Sequence, residues 1–348
     1  MKRRDFFKNT GMAGLAAGFS LCSDMVKSDA PLRPHLHKPA RLKAGSTVAL
    51  IAPASPFPPE KLDMARRNFA TMGFDIREGK SLQARNGYLA GTDDERLEDL
   101  HRAFSDTSVD AVWCIRGGYG CTRILPRVDF DLIARNPKVL VGYSDITALH
   151  LAIQQKTGLV TFHGPVAAAE LPENTLQHFR AALISPTPRY EISIPDEKER
   201  PAGDENIPFV VTPGVAKGPL TGGNLSLLAA MAGTPFSPSY RNRLVFIEDV
   251  GEQPYRIDRM LTQLLQATDL AQAAGIALGV FFDCKPKPNT PSLTLEETLR
   301  DRLAGLGIPV AYGLPFGHVA YQATLPYGIE AELNVEKGTL TLLESGVV

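Results

Sequence analysis

Hydrophobic and polar positions follow two periods along this chain. Short apolar runs read as buried strands: Thr47-Val48-Ala49-Leu50-Ile51, Val109 to Ile115, Val139-Leu140-Val141, Leu159 to Phe162, Leu244-Val245-Phe246-Ile247, Ile276 to Phe282 and Pro309 to Tyr312. Phe74-Asp75-Ile76-Arg77 reads as a further short strand. Between them, apolar residues recur every three or four positions, as on one face of a helix. Residues 58–72 place Leu62, Ala65, Phe69 and Met72 in that pattern. Asp93 to Phe104 does the same with Leu97, Leu100 and Phe104, behind an acidic first turn that the helix dipole favours. Helices are also expected over Leu225 to Met231, Tyr255 to Ala267 and Leu293 to Leu306. Strands alternating with helices predict an α/β fold, a parallel sheet covered on both faces, with function at the C-terminal strand ends. Residues 186–214 break the pattern with Pro186, Pro188, Pro195, Pro201, Pro208, Pro213 and the charged run Asp196 to Arg200. A linker is expected there, between an N-terminal domain over 45–185 and a C-terminal domain over 215–348. The tail from Gly328 to Leu343 alternates like a hairpin with Gly338 at its turn.

Composition narrows the field. Of 348 residues, 44% are hydrophobic and 22% charged, as in a soluble globular protein, and the net charge of -1 gives no hint of nucleic acid or an anionic membrane as partner. The first thirty residues differ from the rest. Lys2-Arg3-Arg4-Asp5-Phe6-Phe7-Lys8 precedes a weakly apolar run from Met12 to Leu21 that is too short to span a bilayer. This segment, 1–30, resembles a twin-arginine export signal and points to the periplasm. Leu21 is a poor match to a lipobox, so plain cleavage between about Cys22 and Ala30 is expected rather than lipidation of Cys22. Cys114, Cys121 and Cys284 are then left, without CxxC spacing, and read as buried free thiols rather than a disulfide framework or zinc site.

The chemistry concentrates in a few turns. Val139 to Val141 feeds Gly142-Tyr143-Ser144-Asp145 and then a helical pattern, the layout of a strand–turn–helix elbow that exposes a nucleophilic serine. Ser144 is the nucleophile candidate, although a serine there could simply cap the helix, and Ile146 stands where the elbow's second glycine would be. Glu248, after the apolar run Leu244 to Ile247, is the candidate to orient a histidine, with Asp249 and Glu252 competing. His318, in Gly313-Leu314-Pro315-Phe316-Gly317-His318, is the candidate base, and His163 at the end of another strand is its rival. Arg116-Gly117-Gly118-Tyr119-Gly120 can aim backbone N–H groups at an oxyanion, with Gly118 and the amide of Asp145 as the expected pair. Its spacing matches neither a Walker A loop nor a dinucleotide fingerprint.

Together these stretches resemble the LD-carboxypeptidases of the serine peptidase S66 type, whose relatives include the microcin C self-immunity peptidases. The matching motifs are Arg116-Gly-Gly-Tyr-Gly120, Gly142-Tyr-Ser-Asp-Ile-Thr147, His163-Gly-Pro165, Gly222-Gly-Asn-Leu225, Phe246 to Glu252 with Tyr255-Arg-Ile-Asp258, and Gly313 to His318. The resemblance implies a Ser–His–Glu triad of Ser144, His318 and Glu248, and an oxyanion hole from Gly118 and Asp145. It implies a flavodoxin-like or glutamine-amidotransferase-like N-terminal domain, a smaller C-terminal α/β domain and a homodimer. The implied reaction releases a terminal D-amino acid, typically D-alanine, from the L-centre-to-D bond of murein tetrapeptide through an acyl-enzyme, with no metal or organic cofactor. A substrate carboxylate would suit Arg116 or Arg256, although a structural salt bridge is the favoured expectation for each, with Tyr119 beside the glycine loop as a further substrate contact. The export signal departs from the cytosolic members that recycle murein and shifts the expected substrate to periplasmic murein peptides. Two other readings stand. One is an amidase on peptide–nucleotide conjugates, which needs an aromatic to stack on the base, whereas Trp113 is expected inside a strand. The other is a periplasmic binding protein without chemistry.

Overall fold

In the computed structural model, residues 35–198, 200 and 202–348 are described; the expected export signal, with Cys22, and Pro201 of the expected linker lie outside them. Five segments of the first half pair as parallel strands: β1 (Thr47–Ile51), β2 (Asp75–Glu78), β3 (Ala111–Cys114), β4 (Val139–Gly142) and β5 (Phe162–His163). Their order across the sheet, β2-β1-β3-β4-β5, is that of flavodoxin-like folds. Helices α1 (Pro59–Met72), α2 (Asp93–Ser105), α3 (Cys121–Ile124), α4 (Phe130–Arg135), α5 (Thr147–Thr157) and α6 (Glu173–Leu183) complete this half. The chain leaves β1 and β3 in opposite directions, so a crevice opens at their C-terminal ends.

Local sequence explains these elements. Gly73 ends α1 in the left-handed conformation, and Thr92 with Glu95 forms a capping box at the start of α2. Leu62, Ala65 and Phe69 of α1 and Leu97, Leu100 and Phe104 of α2 are buried, as their spacing predicts. Trp113 of β3 is 1% exposed and stacks between Phe69 of α1 and Phe179 of α6, with ring centres 5.3 and 4.9 Å away. Its indole N–H donates to the Pro165 carbonyl at 2.7 Å.

The second half builds a mixed sheet from β6 (Tyr190–Ser193), β7 (Phe209–Thr212), β8 (Val215–Asn224), β9 (Leu244–Val250), β10 (Gly275–Phe282) and β11 (Val310–Gly317). Helices α7 (Leu225–Met231), α8 (Pro254–Ala267) and α9 (Leu295–Leu303) accompany it. The chain then returns to the first sheet as β12 (Leu325–Pro326), antiparallel to β5, before β13 (Glu330–Asn334) and β14 (Thr339–Leu342) join the second. The second sheet runs β6-β14-β13-β8-β9-β10-β11-β7, with β8 to β11 parallel. Two expectations need correcting. The 186–214 stretch read as a linker supplies β6 and β7, the two edges of that sheet, where prolines flank short strands rather than interrupt them. The apolar loop expected before His318 is itself strand, because β11 continues through Gly317. One hydrophobic core joins both halves: Leu149 and Ile153 of α5 belong to the same cluster as Leu228 of α7 and Phe246 of β9. Cys114, Cys121 and Cys284 are buried and free.

Candidate active site

The elbow after β4 holds Ser144 at φ 63, a left-handed conformation that costs a side-chain-bearing residue about 1–3 kcal/mol. Packing maintains it. A Cβ at Gly142 would come within 2.9 Å of Ile146 Cγ1, so the bulk at Ile146 occupies the space that Gly142 leaves. Ser144 caps no helix: neither its own 3-10 turn nor α5 carries a side-chain cap hydrogen bond. The Asp145 side chain turns inward, where Oδ2 accepts the Cys121 N–H at 2.8 Å. Burial, the dominant influence, raises its pKa.

The glycine loop after β3 lies against this serine. A Cβ at Gly117 would stand 2.9 Å from Ser144 Cβ and 3.2 Å from Oγ. Gly118 has φ 113, and a Cβ there would meet Ser55 Oγ at 2.4 Å, so only glycine fits. Ser55, in the turn after β1, accepts the Tyr119 N–H at 3.0 Å and donates its own N–H to the Gly117 carbonyl at 3.3 Å. It is the residue that sequence reasoning missed. The available signal was its place in Pro53-Ala54-Ser55-Pro56, directly at the crevice between β1 and β3.

Glu248 and His318 meet across a third strand. Glu248 lies inside β9 rather than at its end, and His318 directly follows β11, with β10 between. The pairing of β10 shifts register between Leu278 and Val280, and Val280 pairs with Gly317. Gly317, at φ 116, leaves room for the carboxylate: a Cβ there would lie 3.1 Å from Glu248 Cβ and 3.2 Å from Oε2. His318 Nδ1 donates to Glu248 Oε2 at 2.7 Å. Gln322 Nε2 donates to the Gly317 carbonyl and holds the turn. Burial of the imidazole opposes its charge, but Glu248 outweighs that and raises the His318 pKa. Glu248 is fully buried; desolvation alone would raise its pKa, yet His318, with smaller help from His163 and Asn224, brings it below the usual range.

The rivals have other work. Asp249 faces the other side of β9, accepting from Asn224 Nδ2 at 3.0 Å and from the Ser226 N–H at 3.0 Å at the start of α7, and burial pushes its pKa up to about 6. Glu252 pairs with Arg256 at 3.3 Å. His163 is fully buried and bonds no carboxylate. The His318 ring packs edge-on against Tyr143, the neighbour of Ser144, with centres 4.7 Å apart. Thr147 Oγ1, at the start of α5, accepts the Asn224 N–H at 3.1 Å, tying the elbow to β8 of the second sheet. The two arginines part company. Arg256 is engaged by Glu252, whereas Arg116 is exposed on the glycine loop, donates to the Pro56 carbonyl at 2.6 Å and has no acidic partner among the described residues. Tyr119 is exposed beside Tyr88, with ring centres 5.7 Å apart. No cluster of metal-ligating side chains occurs among the described residues.

The model of the LD-carboxypeptidase N-terminal domain matches residues 48–164, and that of the C-terminal domain matches 217–333. A probable murein peptide carboxypeptidase of Bacillus subtilis is 43% identical over 89% of this chain and 95% of its own length. The crystal structure of muramoyltetrapeptide carboxypeptidase from Oxalobacter formigenes is 31% identical, with TM-score 0.74 over 85% of this chain and 98% of that one. MccF in complex with glutamyl sulfamoyl guanosine superposes with TM-score 0.80 at 26% identity, over 89% of this chain and 99% of that one.

Proposed function

The chain belongs to the LD-carboxypeptidase family and is a peptidase of that type, and from this membership we propose that it releases D-alanine from the L-centre-to-D bond of murein tetrapeptide by a Ser144–His318–Glu248 triad. One observation carries the reading: a serine held in a strained elbow against Gly117, with the bonded imidazole–carboxylate pair packed on the adjoining Tyr143. Ser144 Oγ attacks the scissile carbonyl as His318 Nε2 takes its proton. Glu248 accepts from Nδ1, fixing the tautomer and stabilising the imidazolium. The amides of Gly118 and Asp145 stabilise the oxyanion, a donor of this kind being worth roughly 2.7–4 kcal/mol of barrier. His318 then protonates the departing amine, and water hydrolyses the acyl-enzyme. Arg116 receives the substrate's terminal carboxylate, and Tyr119 borders the same lip. Because the sequence opens with a twin-arginine-type segment, the substrate in this proposal is a periplasmic murein peptide. The peptide–nucleotide reading lacks its aromatic platform at Trp113, which is core.

Ser144→Ala is expected to abolish conversion of tetrapeptide to tripeptide, followed by mass spectrometry, while leaving the thermal unfolding midpoint near that of the parent. Persistent turnover in a folded Ser144→Ala protein would overturn the triad.

A further inference from the structure

One buried imidazole at the base of the site is used by none of these steps. His163 ends β5, is fully buried, and neither ring nitrogen has a hydrogen-bond partner among the described residues. Phe246 and Phe316 meet it edge-on, with ring centres 5.2 and 6.4 Å away, and Tyr143 lies at 5.9 Å. Phe246 precedes Glu248 by two residues within β9, so the strand period sets both on one face, and Phe316 stands two residues before His318 at the end of β11. His163 therefore lies one rung beneath the Glu248–His318 pair, and the Tyr143 ring touches both imidazoles. Two further buried oxygens at this level have no direct hydrogen-bond partner among the described residues, Glu248 Oε1 and Thr324 Oγ1, the Asn224 amide lying close enough to lower the Glu248 pKa but outside hydrogen-bond geometry. Thr324 is beside His163: its neighbour Leu325 pairs with His163, and a Cβ at Gly164 would meet Thr324 Oγ1 at 3.0 Å. Buried polar groups are normally paired, and an internal water that joins such groups makes two to four bonds.

We propose that His163 is a positioning residue whose ring N–H, through one internal water, holds Glu248 Oε1 and so keeps Oε2 turned to His318. The inference rests on the reading of Glu248 and His318 as the catalytic pair. His163 suits the role because burial pushes its pKa down to about 4, leaving a neutral donor at neutral pH. Most of the remaining titratable neighbours keep one protonation state there. His150 on α5 is likewise pushed down by burial, to about 3, and bonds the Gly142 carbonyl at 2.9 Å. Burial keeps the Tyr143 and Tyr327 phenols protonated and pushes the Cys284 thiol up to about 12. Asp249, on the far side of β9 and anchored to α7, is the exception: burial pushes its pKa up to about 6, and its charge is a smaller influence raising that of His318. The positive end of a His163 N–H dipole lowers the proton affinity of the pair above it, so losing that donor raises the His318 titration midpoint.

The test is histidine side-chain NMR on the full-length protein without substrate, comparing wild type, His163→Phe and His163→Gln. The Phe variant is expected to raise the His318 midpoint by about half a unit or more and to lower kcat about tenfold with KM unchanged. The Gln variant, which keeps an amide donor, is expected to restore both. An unmoved His318 midpoint in folded His163→Phe would reduce His163 to packing. Wild type alone gives a second reading: a protected His163 ring N–H with a cross-peak to a long-lived water is expected, and its absence overturns the bridge whether or not the variants fold. If the NMR outcomes hold but wild type releases no D-alanine, the proposed activity fails and the positioning role of His163 stands.

Discussion

At the scale of single residues, the site depends on an imidazole whose proton affinity is raised chiefly by one carboxylate. His318 must be neutral to act as a base, and Glu248 raises its pKa, so activity requires a pH above the ordinary histidine value. The acidic limb of kcat/KM is expected above pH about 6.5. In Glu248→Gln the main raising influence is lost, and burial of the imidazole is opposed only by the smaller pull of Asp249. The limb then moves to lower pH while kcat falls by about two to four orders of magnitude, as the tautomer is no longer fixed; a pH–rate series on both proteins checks the direction. Arg116 makes a separate case. It is exposed and bonds a carbonyl but, among the described residues, no carboxylate. Arg116→Ala is expected to raise KM for tetrapeptide about tenfold with little change in stability, since one charge-assisted contact is removed. An unchanged KM would place carboxylate recognition elsewhere.

At the scale of elements, turns and strand ends do the positioning. The glycine loop keeps its shape because the turn after β1 grips it: Ser55 holds the backbone on both sides of Gly118. That grip exists only because β1 and β3 are neighbours. Gly118→Ala meets two penalties, a φ of 113 that disfavours any side chain and a 2.4 Å clash with Ser55 Oγ. Turnover is expected to fall about a hundredfold as the oxyanion donor moves, with a lowered unfolding midpoint; kinetics and thermal melts on one preparation separate the two effects. In the second sheet, the register shift in β10 and the bare backbone at Gly317 let a carboxylate on β9 reach across to a histidine after β11. A regular ladder would keep them two strands apart, about 9–10 Å in the sheet plane.

At the scale of the whole molecule, the described residues behave as one body with two sheets. β12 sends the C-terminal half back to pair with β5, and α5 and α7 share a core. The elbow and the imidazole–carboxylate pair are thus fixed relative to each other by packing rather than by a linker. No helix among the described residues is long and apolar enough to cross a membrane. The proposed periplasmic role depends on the N-terminal segment. Replacing Arg3 and Arg4 by Lys is expected to retain the protein in the cytoplasm in a strain with an active twin-arginine pathway, seen by fractionation. Equal periplasmic recovery of parent and variant would remove that part of the proposal.

The sequence by itself determined the periodic elements and the chemistry-bearing turns. α7 spans the expected Leu225 to Met231, and β1 the expected Thr47 to Ile51, because hydrophobic period and turn residues are local properties. Ser144, Glu248 and His318 were legible as residue types following apolar runs in a recognisable order. Only the tertiary structure decided which carboxylate serves the imidazole. Glu248 and Asp249 are adjacent and chemically alike, and strand alternation sends one to His318 and the other to α7. It also decided that Arg116 has no ion pair among the described residues while Arg256 does, that 186–214 supplies two sheet edges, and that Ser55 grips the glycine loop. Each of these depends on contacts between segments far apart in the chain, and no local pattern encodes such a contact.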